Sequence, residues 1–106
     1  MRKIHRLQGI AKSRQVFLDG KKLDLDTSLD IFDHSPDGFN WGYSGSGPAQ
    51  LAIAIITTLT GQPFGYQTFK WQILTKLPQG KNFTIKFFLE KDDDGKFLMA
   101  EIEGGK

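Results

Sequence analysis

Trp41-Gly-Tyr-Ser-Gly-Ser-Gly-Pro-Ala-Gln-Leu-Ala-Ile-Ala-Ile-Ile56 is a glycine–serine turn that runs straight into an apolar helix. Gly42, Gly45 and Gly47 let the backbone bend sharply and approach a neighbour closely. Pro48 suits a first helical turn, where its missing N–H is not needed. Leu51, Ile55 and Leu59 recur at four-residue intervals, Ala52 and Ile56 widen that face, and Ile53 and Ala54 make the segment apolar nearly all round. The spacing predicts a helix over 48–60 that is covered on several sides. Ser46 is the first candidate for its N-cap and Gly47 the second, and Gly61 is the candidate C-terminal cap.

Around that helix the chain reads as strands, helices, then strands. Residues 3–10 and 15–18 are short strands, and Asp19-Gly20 between apolar runs is a hairpin signal leading into 21–25. Residues 29–32 read as a further short strand. Ser35-Pro-Asp-Gly38 is a turn, and 39–41 is an extended piece that delivers the chain to the glycines. Tyr66, Phe69, Ile73 and Leu77 predict a second helix over 66–77, ended by Pro78-Gln-Gly80. Phe83, Ile85 and Phe87 alternate with Thr84 and Lys86, a charged turn follows at 91–96, and 97–102 returns as a strand. That order predicts one small α+β domain over 1–106, with antiparallel strands from both chain ends packed on the central helix and a second helix beside it.

Composition narrows the function classes. The 106 residues suit one core, and nine Phe, two Trp and two Tyr give it bulk. There is no cysteine, which excludes disulfides and thiolate chemistry. The longest apolar stretch, 51–56, is too short to cross a bilayer, so a cytoplasmic location without membrane attachment is expected. Arg2, Lys3, Arg6, Lys12 and Arg14 precede the first acid at Asp19, and Asp24, Asp26, Asp30, Asp33 and Asp37 then follow. A formal charge of +2 argues against a nucleic-acid partner.

The glycine turn approaches several motifs and completes none. Gly42 and Gly47 have the offset of a phosphate-binding loop, but Pro48 and Ala49 stand where Lys and Ser/Thr are required. Gly45-Ser-Gly47 starts a dinucleotide fingerprint, yet Gln50 occupies the third glycine position. Gly42-Tyr-Ser44-Gly45-Ser46 resembles a nucleophile elbow whose last glycine is Ser46. These motifs share bare N–H groups at a helix start, which favour an anion. The candidate ligand site is therefore Trp41, Tyr43, Ser44, Gly45, Ser46, Gly47 and Gln50. Backbone at 45–47 would hold the anion, Ser44 or Ser46 a hydroxyl, and Gln50 an amide, while Trp41 or Tyr43 would stack. The alternative is that the glycines only form a corner against a buried helix. His34 and Asp33 with Ser44 or Ser46 supply the residue types of a hydrolytic triad, but adjacent residues on a strand point to opposite faces. No metal site and no cofactor are expected. Two His without Cys make a poor ligand set, and 92–95 lacks the alternate spacing of a calcium loop.

Residues 34–52, His-Ser-Pro-Asp-Gly-Phe-Asn-Trp-Gly-Tyr-Ser-Gly-Ser-Gly-Pro-Ala-Gln-Leu-Ala, resemble the hallmark of an uncharacterised family of small bacterial and phage proteins. Tyr66-Gln-Thr-Phe-Lys-Trp71 is similar to a shorter block of that family, and the chain from Lys81 onward lies outside the resemblance. It implies no catalytic residues and a mobile-element setting. The expected function is non-catalytic binding of a small anion, such as a nucleotide or phosphate ester, by a sequestering protein. The alternative is a protein-interaction module or an inhibitor of a host protein, and the expected partners beside the ligand are another protein or a second copy of the chain.

Overall fold

Asp19 and Gly20 sit at φ 52° and φ 85°, the paired left-handed conformations of a tight hairpin turn. They join strands β2 (Gln15–Leu18) and β3 (Lys21–Lys22). The computed structural model describes residues 3–103; Arg2 of the basic N-terminal run lies outside them. Strand β1 is His5–Ile10, β4 is Phe83–Lys91 and β5 is Phe97–Ile102. All pairings are antiparallel, in the order β3-β2-β1-β4-β5. Both chain ends therefore supply the sheet, and helices fill the middle of the sequence: the fold is α+β.

One face of the sheet carries Leu7, Val16, Leu18, Phe83, Phe87 and Ala100 into the core. There they meet helix α2, Ser46–Thr60, in which every residue from Gly47 to Ile56 is buried. Leu51 and Ile55 are completely inaccessible, whereas Leu59 is half-buried at the open end. Gly61 ends the helix in the left-handed conformation, φ 83°, with its N–H on the Thr57 carbonyl. The start differs from expectation. The N-cap is Gly45, not Ser46 or Gly47, so Pro48 is the third helical residue; its missing N–H is still one that a helix start leaves unpaired.

Two other elements depart from the sequence reading. Residues 29–32 form no strand; Leu29 closes a short helix, α1 (Leu25–Leu29), and the chain turns after it. Asp24 caps it, accepting from the Asp26 N–H at 3.1 Å and the Thr27 hydroxyl at 2.8 Å. The Ile31 and Phe32 N–H groups then turn back to the Ser28 carbonyl. The cap also ends the hairpin arm early, at Lys22 instead of Leu25. The second helix, α3, spans Tyr66–Gln72 and gives way at Ile73 to a 3₁₀ turn over Leu74–Lys76. There the Leu74 carbonyl accepts the Gly42 N–H at 2.8 Å. On the far side of α3, Gln72 Oε1 accepts the Ala100 N–H of β5 at 2.6 Å. The β4–β5 turn forms as expected, with Asp92 Oδ1 accepting from the Asp94 and Lys96 N–H groups.

Candidate functional site

The expected site at 41–50 is filled by the chain itself. Trp41 is 1 % exposed. Its indole N–H donates to the Lys81 carbonyl at 3.0 Å and its ring meets Phe83 edge-on at 4.9 Å. It is a core residue and offers no face for stacking. Gly42 has φ 85°, and a Cβ there would fall 2.5 Å from the Gln79 backbone. Gly45 and Gly47 make room for Tyr43. A Cβ on Gly45 would lie 2.6 Å from the Tyr43 ring, and one on Gly47 would lie 2.6 Å from Asn40 Cβ and 2.9 Å from the Tyr43 hydroxyl. The close approaches these glycines permit are thus internal. Tyr43 is half-buried, and only Ser44 and Ser46 are exposed.

Gln50 is wholly buried and all its hydrogen-bonding capacity is used. Oε1 accepts the N–H groups of His34 at 2.8 Å and Ser35 at 3.0 Å. Nε2 donates to Ser28 Oγ and to the Phe32 carbonyl, both at 2.9 Å. It neither closes a cap nor faces a ligand; it ties α2 to α1 and to the 32–35 segment. His34 turns the other way, with Nε2 2.9 Å from the Tyr66 hydroxyl and its ring among Phe32 and Tyr66. Among the described residues no hydrogen bond links His34 to Ser44 or Ser46, so the triad geometry is not present. No cluster of three or more His, Asp or Glu that could hold a metal occurs among the described residues.

A groove lies elsewhere, between the β2–β3 hairpin, α1 and the open half of α2. It encloses about 420 Å³. Leu18, Leu23, Ile31, Ala54 and Leu59 make its walls apolar, and Asp19, Lys21, Lys22 and Asp24 bring charge to it. Each wall has a local cause. The hairpin turn places the lysines, the Asp24 cap places α1, and the Gln50–Ser28 bond fixes α1 against α2. Ser28 is locked further by donating its hydroxyl to the Leu25 carbonyl at 2.7 Å.

The four charged groups are not equivalent. Asp19 Oδ1 accepts the Arg6 N–H and Oδ2 lies 2.8 Å from His5 Nδ1. Burial pushes the Asp19 carboxyl up, but the Arg6 N–H, His5 and the charge of Lys3 outweigh it and hold it below its usual value. Both Asp24 oxygens serve the α1 cap. Lys21 and Lys22 are exposed and have no carboxylate partner among the described residues. The unmet hydrogen-bonding capacity of these charges is therefore cationic. Thr57 also borders the groove. Thr58 and Thr60 turn their hydroxyls to the carbonyls four residues back, whereas the Thr57 hydroxyl is out of contact with solvent and has no partner.

Lys21, Lys22 and Thr57 were not singled out from the sequence. The signal that leads to them is Asp24-x-x-Thr27, a helix cap that sets a helix beside the hairpin.

Residues 6–93 match the model of a family described as a family of unknown function (DUF6166). The match takes in the glycine corner, the groove and all of β4, so it extends beyond the Lys81 boundary of the sequence resemblance and stops short of β5. No curated protein and no solved structure matches the chain.

Proposed function

We propose that this chain, which belongs to the DUF6166 family of unknown function, is a non-catalytic binding protein for a small anionic ligand seated in the groove between the β2–β3 hairpin, α1 and α2. One observation carries the reading: two ammonium groups, Lys21 and Lys22, without a carboxylate partner among the described residues, border an apolar cavity of about 420 Å³ whose two carboxylates already serve donors of the chain. That volume falls in the range of small-molecule sites, roughly 300–1,000 Å³. The chemistry that fits is an apolar body with an anionic end, such as a nucleotide, a phosphate ester or a carboxylate.

This keeps the class of ligand expected from the sequence and moves the site away from the glycine corner, where Trp41 and Gln50 are already committed. In a mobile-element setting, which the sequence resemblance implies, such a protein acts by sequestering its ligand. The test is a thermal-shift screen against nucleotides, phosphate esters and apolar carboxylates, followed by calorimetry. Binding is expected to be lost in the double variant Lys21→Gln, Lys22→Gln and kept in the double variant Ser44→Ala, Ser46→Ala. The opposite pattern returns the site to the glycine corner, and a screen without any binder overturns the reading.

A further inference from the structure

We infer that the outward side of α3, centred on Trp71 and Lys70, is a docking surface for an acidic segment of another protein, in which carboxylates alternate with aliphatic side chains. Trp71 is 56 % exposed, an unusual state for the largest apolar side chain. Lys70 beside it is only 7 % exposed, yet its amine has no hydrogen-bond acceptor or carboxylate among the described residues. Its Nζ lies 5.2 Å from the centroid of the Trp71 ring. The ammonium is thereby held at the foot of an exposed indole, and both groups are pre-positioned before anything binds. The Lys70 stem is buried while its ammonium stays beside the ring, and an exposed aromatic next to a held cation is a composition found at interface hot spots.

Charge complementarity names the occupant. Lys70 and Lys76 bring positive charge to α3 and the turn that follows it, and the chain contains no Asp or Glu from Gly38 to Leu89. Lys76 is exposed one turn beyond Trp71, and Thr75 Oγ1 bonds back to the Trp71 carbonyl, which ties the 3₁₀ turn to the same surface. At the start of α3, Tyr66 meets His34, whose neighbour in sequence is Asp33. An incoming carboxylate is therefore favoured at the Lys70–Lys76 end, and an aliphatic neighbour covers the indole. This surface shares no residue with the groove, so either site can fail alone.

The test is selection of a random peptide library on the purified full chain, with the Trp71→Ala variant as counter-target. Enriched peptides are expected to carry Asp or Glu next to Leu, Ile or Phe. Their affinity is expected to fall by about tenfold or more in Trp71→Ala, which corresponds to ~1.4 kcal/mol at the interface. It is expected to fall likewise in Lys70→Gln and to recover in Lys70→Arg. Trp71→Ala is expected to melt like wild type because the side chain is exposed, so loss of binding there is not loss of fold. The Lys21→Gln, Lys22→Gln variant is expected to bind the peptides normally. Enrichment that ignores Trp71, enriched peptides without acids, or Trp71-dependent binding only to phosphatidylserine vesicles or single-stranded RNA would overturn the inference.

Discussion

Gln50 Nε2 donates to Ser28 Oγ at 2.9 Å, a buried bond that joins the central helix to the short helix in front of it. With three further bonds to His34, Ser35 and Phe32, one side chain organises a segment that has little regular structure of its own. Gln50→Leu keeps the approximate volume and removes all four bonds. At ~0.5–1.5 kcal/mol per bond, the expected loss is roughly 2–6 kcal/mol. Urea unfolding measures it, and a cost below about 1 kcal/mol would mean that water replaces the amide.

Ile55 is wholly inaccessible in the middle of α2. Ile55→Ala is expected to cost ~2–5 kcal/mol in the same assay. A loss within error would contradict the central position of this helix.

Gly42 and Gly61 both have left-handed backbones, at φ 85° and φ 83°, but different surroundings. A Cβ on Gly61 meets nothing within 4 Å, while one on Gly42 meets the Gln79 backbone at 2.5 Å. Gly61→Ala is expected to cost the conformational penalty alone, ~1–2 kcal/mol. Gly42→Ala is expected to cost clearly more. Equal costs would show that the 77–79 segment moves aside easily.

Thr57→Val removes a hydroxyl that has no partner among the described residues. The fold is expected to be unchanged or slightly more stable, because an unpaired polar atom is replaced by a methyl of similar shape. Destabilisation beyond about 1 kcal/mol would show that the hydroxyl is satisfied in solution.

Asp19 titrates below its ordinary value when folded. A depressed carboxyl adds stability that is fully present above the unfolded value, about 3.9, and is lost as pH falls through the lower folded value. Asp19→Asn is therefore expected to flatten the acid side of the stability profile below about pH 4 and to leave its shape near neutrality unchanged. The side chain is 42 % exposed, so solvent screens the effect and the change is small. Thermal melts from pH 2 to 7 check it, and an unaltered acid limb would place the carboxylate outside the His5 and Arg6 contacts.

The architecture was legible where periodicity or turn chemistry carried it. Apolar spacing located α2, Asp19-Gly20 located the hairpin, and alternation at 83–87 located β4. It was less legible where a short local signal competed with an apolar run. Leu29, Ile31 and Phe32 look like a strand, but the Asp24 cap upstream had already committed the backbone to a helical turn. The site was harder still. Glycines announce close approach without saying to what, and here the approaching groups are Tyr43, Asn40 and Gln79. The fate of Gln50 depends on residues as far off as Ser28, and no local pattern encodes that meeting. The groove lysines are ordinary hairpin residues until α1 is folded against them.

The Gln72–Ala100 bond has a consequence for how copies of this protein behave together. Strand β5 is the last in the sheet, and it exposes Leu98 and Met99. An apolar outermost strand is a template on which another chain can pair and from which fibrils grow. Gln72 reaches from α3 and occupies the Ala100 N–H with a side-chain oxygen. One of the backbone groups that an arriving strand would read is thereby already answered from within the chain, which narrows the edge open to another copy.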